Sequence, residues 1–342
     1  MAMDANLLSL FQKEFKDDAT VSRVSEDIRG KVIVLYGGNN VGKTLQSAKF
    51  PNPIFLPCEK GMNAVNGALV LKTTSWGDLK KNGKKLTGKK FVQALKQGAT
   101  MTLVIDGIER IGNYVKDYLC SKYDVATIGK ANGGYGCWEE YENLVWSFVD
   151  NLISVGYTVV FIGHEKYDSN KEKYIITGDE RAIKPIRDNA DIVAYLRSNG
   201  VDEEGNSLLS SAYLAETEEF FARTRFSYMD TYIEEFTAEN FIDTIIEGIK
   251  RQNEAEGFDS VSFEEQQEIY SQEEEDFSDV VDEIKELFGR MSELGEEAVE
   301  RYASIVEEHL GEDVAVSEAT ERQIEALKCI RDDLNDYLED NE

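Results

Sequence analysis

The octapeptide GGNNVGKT, residues 37–44, limits the fold of this chain more than any other feature. It follows KVIVLY (31–36), a β-branched apolar run suited to a buried parallel strand, and precedes a segment with helical character. The pattern G-x-x-x-x-G-K-[ST] between strand and helix is a phosphate cradle. Gly37, Gly38, Asn39, Asn40, Val41 and Gly42 would turn backbone N–H groups onto phosphate oxygens, and the helix start adds its dipole. Lys43 is placed to neutralise the β and γ phosphates of ATP, and Thr44 to hold Mg2+. Leu45 completes the candidate nucleotide-binding stretch.

The rest of the chain supports a layered fold. PIFLP (53–57), ALVLK (68–72), MTLVID (101–106) and YTVVFIG (157–163) read as further strands. Helical patterns run to about Tyr123, from Trp138 to about Ser154, and over about 238–251. Residues 4–17 read as a short helix with Leu7, Leu8, Phe11 and Phe15 on one side. EKYIIT, and the pair DIVAYLRS and SSAYLAET around NGVDEEGN, suggest antiparallel strands at one edge. KKNGKKLTGKK (80–90) reads as a solvated loop, because Gly83 and Gly88 break its helical pattern. Strands alternating with helices predict an α/β fold with a mainly parallel sheet and helices on both faces.

Charge divides the chain further. The net charge is −29 over 342 residues, with 66 acidic and 37 basic side chains. Residues 252–342 hold 31 of the acidic and 6 of the basic ones, a net of −25, which leaves −4 for residues 1–251. The whole-chain charge therefore does not exclude a nucleic-acid surface on the body. The expected organisation is a helical segment (1–27), a body (28–251), an acidic linker (252–278) and an acidic helical module (279–342). Three apolar sets recur there at helical spacing: Val281, Ile284, Leu287 and Phe288; Val299, Tyr302, Ile305 and Val306; Ile324, Leu327, Ile330 and Leu334. No apolar run approaches the ~20 residues that span a bilayer. The N-terminus lacks the basic lead-in of a secretory signal, and the four cysteines show no zinc or disulfide spacing. A cytoplasmic protein is the expectation.

The strand MTLVID ends in Asp106, which would put one carboxylate near the Mg2+. Gly107 follows it, so the common Asp-Glu pair is absent. Glu59, in FLPCEKG, is either the residue that orients the attacking water or a solvated strand-end carboxylate. His164, at the end of VVFIGH, is one of only two histidines.

These motifs in this order resemble the RecA-like P-loop ATPases. The P-loop, FPNPIFLPCEKG, TLVIDGIERI and GGYGCWEEYENLVWSFVDNLISVGYTVVFIGHEK are similar, more narrowly, to a phage family of RecA-like nucleotide-binding proteins that includes Sak-four-type single-strand annealing proteins. The likeness spans about residues 28–250. Pro57 stands where the family often has an aspartate before its catalytic glutamate.

The resemblance implies that the VVFIGH strand lies between the P-loop strand and the Asp106 strand. His164 is then either a γ-phosphate sensor or a satisfied structural histidine. Arg223 and Arg225, in ARTR, are either arginines inserted into a neighbour's ATP or solvated strand-end residues. The resemblance also implies a ring or filament of identical subunits, with single-stranded DNA as a partner. DNA would lie on 125–137, with Lys130, Tyr135 and nearby Trp138, and on 165–182, with Lys166, Tyr167, Lys171, Lys173 and Tyr174. The acidic module is open to three readings: a competitor for basic surface, a docking element for a single-strand-binding protein, or a solubilising appendage. Two other function classes remain at this level. One is a nucleotide-gated loader or assembly ATPase acting on proteins. The other is a small-molecule kinase built on the same loop.

Overall fold

The computed structural model describes residues 5–15, 20–268, 275–312 and 314–341. The chain divides into two compact units, residues 1–269 and 270–342.

The first unit opens with helix α1 (Ala5–Phe15). Strand β1 (Val32–Gly37) follows, buried at every position. Next come α2 (Lys43–Ser47), β2 (Pro53–Pro57), β3 (Leu69–Val70), α3 (Trp76–Leu86), α4 (Lys89–Lys96), β4 (Thr102–Asp106), α5 (Ile108–Tyr123) and α6 (Trp138–Ile153). The chain continues through β5 (Thr158–Asp168), β6 (Lys173–Ile176), α7 (Glu180–Asn189), β7 (Ile192–Arg197), β8 (Ser211–Tyr213), β9 (Arg223–Thr224), β10 (Tyr232–Ile233), α8 (Ala238–Glu256) and α9 (Phe263–Glu268).

The strands form one sheet in the order β10-β8-β7-β1-β5-β4-β2-β3. Neighbours from β7 through β3 are parallel. β5 lies between β1 and β4, the place the resemblance implied. Alternation along β1 explains why both faces are covered. Val32, Val34 and Tyr36 join one core with Leu79 of α3, Ile111 of α5, Val145 of α6 and Ile186 of α7. Ile33 and Leu35 join the other with Phe241, Ile245 and Ile249 of α8. The far edge is antiparallel: β8 pairs with the end of β7 and β9 with its start.

Several expectations need correction. The lysine-rich stretch 80–90 is mostly helical, falling in α3 and the start of α4. Gly83 does not break α3; a Cβ there would come within 2.9 Å of Phe148 on α6, so the glycine permits close helix packing. β5 does not stop at residue 163 but continues to Asp168, paired with β6. Helix α7 overlaps the end of the expected DNA loop 165–182, with Asp179 capping its start and Pro185 inside it.

The acidic stretch 252–278 is not simply a linker. α8 runs on to Glu256, and Val261 bridges to Ser25. Phe263 is buried, packed against Gly30 and Gly156. Arg29 holds the Glu264 carboxylate through both nitrogens, at 2.6 and 3.0 Å. Composition misleads there because one aromatic anchor and one paired carboxylate suffice to dock the segment.

Among the described residues the second unit holds three α-helices, α10 (Phe277–Leu294), α11 (Glu296–Leu310) and α12 (Ile324–Asn341), with two short 3-10 turns before the last. Its core takes Val280, Ile284, Leu287 and Met291 from α10, Ala298, Ile305 and Val306 from α11, and Leu327, Ile330, Leu334 and Leu338 from α12. Ile284 and Leu287 fall in the core as expected, while Val280 and Met291 take the places expected of Val281 and Phe288, leaving Phe288 at the rim against Tyr302. Arg331 ties α12 to Glu275 and, at 3.0 Å, to Glu283. No helix among the described residues is long and apolar enough to cross a membrane.

Docking of residues 261–268 by a single buried ring gives a direct test. Phe263→Ala is expected to destabilise the first unit by about 3 kcal/mol. Hydrogen exchange on the full chain should show the loss in α8 and β1.

Candidate functional site

The site sits where the parallel strands end. Gly37 is in register with His164 on β5 and Leu196 on β7. A side chain at Gly37 would collide with the Leu196 carbonyl, and its φ of +154° disfavours any other residue. Asn40 (φ +62°) and Gly42 (φ +82°) take left-handed conformations that turn the loop into α2. The loop presents Asn39, Asn40 and Leu45 at the surface, and Val41 anchors it in the core below. Gly38 lies against Glu165, whose other oxygen accepts from the Tyr195 hydroxyl at 2.7 Å.

Lys43 is 7% exposed. Its ammonium donates to the carbonyls of Gly37 at 2.9 Å and Gly38 at 2.6 Å. Burial lowers its pKa, while Asp106, Glu165, Glu109 and Glu59 act in the opposite direction. Those carboxylates are near enough to be felt, yet none forms an ion pair with Lys43 among the described residues. The cation is held by neutral groups, which a phosphate oxygen could replace with a charge-assisted bond.

Thr44 donates its hydroxyl to Asp106 Oδ2 at 3.2 Å. Asp106 is 1% exposed, and burial pushes its pKa up to about 6; the charge of Glu59 adds to this, and the Thr44 bond opposes it. The chain keeps space beside this carboxylate: a Cβ at Gly61 would stand 2.5 Å from Asp106 Oδ2. A hydroxyl and a buried carboxylate form an all-oxygen donor pair that fits a hard cation such as Mg2+. The ion would also offset a buried negative charge that the protein itself leaves weakly paired.

Glu59 reaches the same place from β2. The Cys58 amide bonds to the Asp106 carbonyl at 2.8 Å, which continues the β2–β4 ladder by one step. Tyr114 then pins the Cys58 carbonyl at 2.9 Å. Gly107, in a left-handed conformation (φ +101°), leaves room for the Glu59 stem: a Cβ there would be 3.1 Å from Glu59 Cγ. The glycine that replaces a second acid after Asp106 thus makes room for an acid from the next strand. Glu59 Oε1 lies 3.9 Å from His164 Nδ1.

Lys43, Thr44, Asp106, Glu59 and His164 therefore gather at one end of the sheet. Glu109 and Glu165, which lie in the quoted stretches TLVIDGIERI and VVFIGHEK but carry no role in the sequence pattern, join them. Glu165 could have been noticed as the residue after His164 on a strand that continues outward. Nothing in the sequence marks Glu109.

Arg223 and Arg225 are not brought to this site. Arg223 on β9 pairs with Val193, which is level with Val34, about 10 Å down the strand from Gly37. Both guanidiniums turn to the Asp188 carbonyl at the end of α7, at 3.1 and 3.4 Å, and Arg225 also faces Asp191 at 3.5 Å. Of the expected DNA loops, 125–137 holds two 3-10 turns with Tyr135 fully outward, and Trp138 nearby stacks under Arg181 at 4.2 Å. In the other, Tyr167 is exposed and meets Tyr174 edge-on, and Lys173 pairs with Glu216.

Comparison with known proteins gives three findings. An AAA domain family matches residues 29–226. The SPbeta prophage-derived uncharacterized protein YorG of Bacillus subtilis (strain 168) is 45% identical over 318 residues, 93% of this chain and 97% of that one. Among solved structures, the KaiC-like protein PH0186 of Pyrococcus horikoshii OT3 matches 58% of this chain and 82% of its own, at 14% identity and a TM-score of 0.31.

The raised pKa of Asp106 has a stability consequence. The folded chain holds a proton there that the unfolded chain releases near pH 4, so this carboxylate reduces stability as pH rises from about 4 to about 6. Asp106→Asn is expected to match the parent at pH 4 and to exceed it by about 1–3 kcal/mol at pH 7.5 without nucleotide or Mg2+. Denaturant midpoints at the two pH values check it.

Proposed function

Because the chain belongs to the AAA domain family of P-loop ATPases, we propose that it is a Mg2+-dependent, phage-type ATPase that binds single-stranded DNA and promotes annealing or recombination as an oligomer. One observation carries the catalytic part: Lys43 and Thr44 at the start of α2, Asp106 at the end of β4 and Glu59 just past β2 converge at one end of the parallel sheet. Lys43 holds the β and γ phosphates. Thr44 and Asp106 hold Mg2+, which supplies charge neutralisation. Glu59 orients a water toward the γ-phosphorus and takes up its proton as the bond to the leaving ADP oxygen breaks. His164 senses whether the γ-phosphate is present.

The charge of the site supports a metal-bound substrate. Four carboxylates surround one lysine there, so a bare nucleotide tetra-anion would be repelled.

Support for the DNA part is the β5–β6 hairpin. β5 passes through the phosphate end of the site at His164 and runs outward without a break. Lys166, Tyr167 and Lys171 are exposed along it, which suits phosphates and bases of a single strand. Lys130 and Tyr135, on the turns before α6, are exposed as well and offer the same chemistry. Arg223 and Arg225 lie away from their own nucleotide site, which leaves a role at a neighbour's site, and hence a ring or filament, within this proposal. The prophage origin of YorG supports action in the cytoplasm of an infected host.

A second reading, a loader ATPase acting on protein partners, is favoured by the acidic second unit. It is a folded three-helix body with Phe288 and Leu294 partly exposed, the kind of surface that could meet a single-strand-binding protein.

Lys43→Ala and Glu59→Gln are each expected to lower ATP turnover by about 100-fold or more. Unchanged turnover in both would sink the catalytic assignment. Filter binding of single-stranded DNA should tighten with ATP, and His164→Ala should abolish that response while leaving the fold intact. No DNA retention in either state favours the loader reading.

A further inference from the structure

Glu109 is the second residue of α5, three positions beyond Asp106. Its Oε1 lies 2.8 Å from His164 Nδ1. A carboxylate only accepts, so Nδ1 carries the proton of this bond. Nε2 has no partner among the described residues and is the nitrogen left for a ligand. Glu59 Oε1 stands 3.9 Å from Nδ1, beyond hydrogen-bond range. Two carboxylates thus flank one ring, and only one of them holds it.

The second oxygen of Glu109 is buried and has no hydrogen-bond partner among the described residues. A residue kept for packing would avoid that arrangement. Its place in the first turn of α5 suits a negative side chain, because the start of the helix carries partial positive charge. Glu109 also rides on the element that leaves Asp106, so its position is fixed relative to the site floor.

We propose that Glu109 is the positioning residue of His164. It fixes the ring's orientation and its Nδ1–H tautomer, keeps Nε2 for the phosphate side, and holds the imidazole off Glu59. Glu59 then stays available to the attacking water. This rests on the reading of His164 as the phosphate sensor. It adds the reason why a histidine, with two nitrogens of opposite duty, can serve there.

The chain has only two histidines, so ring-nitrogen NMR on the full-length protein is directly readable. His309, bonded to Asp333 through Nε2 at 2.8 Å, is an internal reference. Wild type should show the His164 proton on Nδ1. Glu109→Ala should lose that bias, and the shape-conserving Glu109→Gln should keep part of it, since its amide oxygen can still accept. In ATP turnover, Glu109→Ala should lower kcat at least ~10-fold, with KM for ATP within about twofold. The loss should disappear in a His164→Ala background, because a residue acting through another adds nothing once that other is gone. An unchanged tautomer in Glu109→Ala, or penalties that add in the double variant, would overturn the assignment. A wild type with no ATP turnover would overturn the hydrolysis reading instead, and the tautomer measurement would then decide this one alone.

Discussion

The pairing of β1 with β5 on one side and β7 on the other is the constraint from which the site follows. Parallel ladders fix the level of every residue, and the level of Gly37 is shared by His164 and Leu196. The Leu196 carbonyl closes the space above Gly37, so the strand must end there in a glycine and the loop must begin. β4 then delivers Asp106 beside Ile162, and β2 delivers Pro57 beside Asp106. A one-residue slip in any of these ladders would turn the polar tips into the cores on either face. Among the described residues, thirty-six buried side chains form one of those cores and twenty-two the other, so the register is held by far more apolar contact than any single site residue could disturb.

What the ladders assemble is electrostatically unbalanced. Asp106, Glu59, Glu109 and Glu165 lie around Lys43, and the lysine spends its hydrogen bonds on carbonyls. Burial raises the pKa of Asp106 and lowers that of Lys43, which are the directions in which each group becomes less charged. Such a site is stable enough to fold and poorly satisfied on its own. On the proposed reading, polyphosphate and a divalent cation would supply the two missing partners, one for the lysine and one for the acids.

Most of this was legible in the sequence where local chemistry dictates structure. The loop at 37–44, the strand ending in Asp106 and the buried run before His164 each carry a pattern that few other folds could use. The structure brings Glu59 to the same end of the sheet, although its motif lacks the usual aspartate; Gly107 makes room for it through a backbone conformation no motif encodes. Glu109 was invisible because its meaning comes from a residue 55 positions away. Gly83 was misread because its neighbour across the helix interface, Phe148, is remote in sequence. The stretch 252–268 was misread for the same reason: composition counts its acids, while Arg29 and a pocket beside Gly30 decide its place. Short antiparallel pieces such as β9 and β10, two residues each, have no periodicity to read.

The unbroken length of β5 gives the molecule a mechanical arm. The strand is flanked by β4 as far as Ile162 and by β1 as far as His164, then runs about 13 Å to Asp168 paired with β6, whose Tyr174 is tied to the backbone of Glu219 and Phe221. A tilt of about 5° at His164 would carry the tip roughly 1 Å. The pivot lies at the phosphate end and the free end lies in solvent, so a chemical event too small to rearrange a packed core could still be felt by whatever rests on the hairpin.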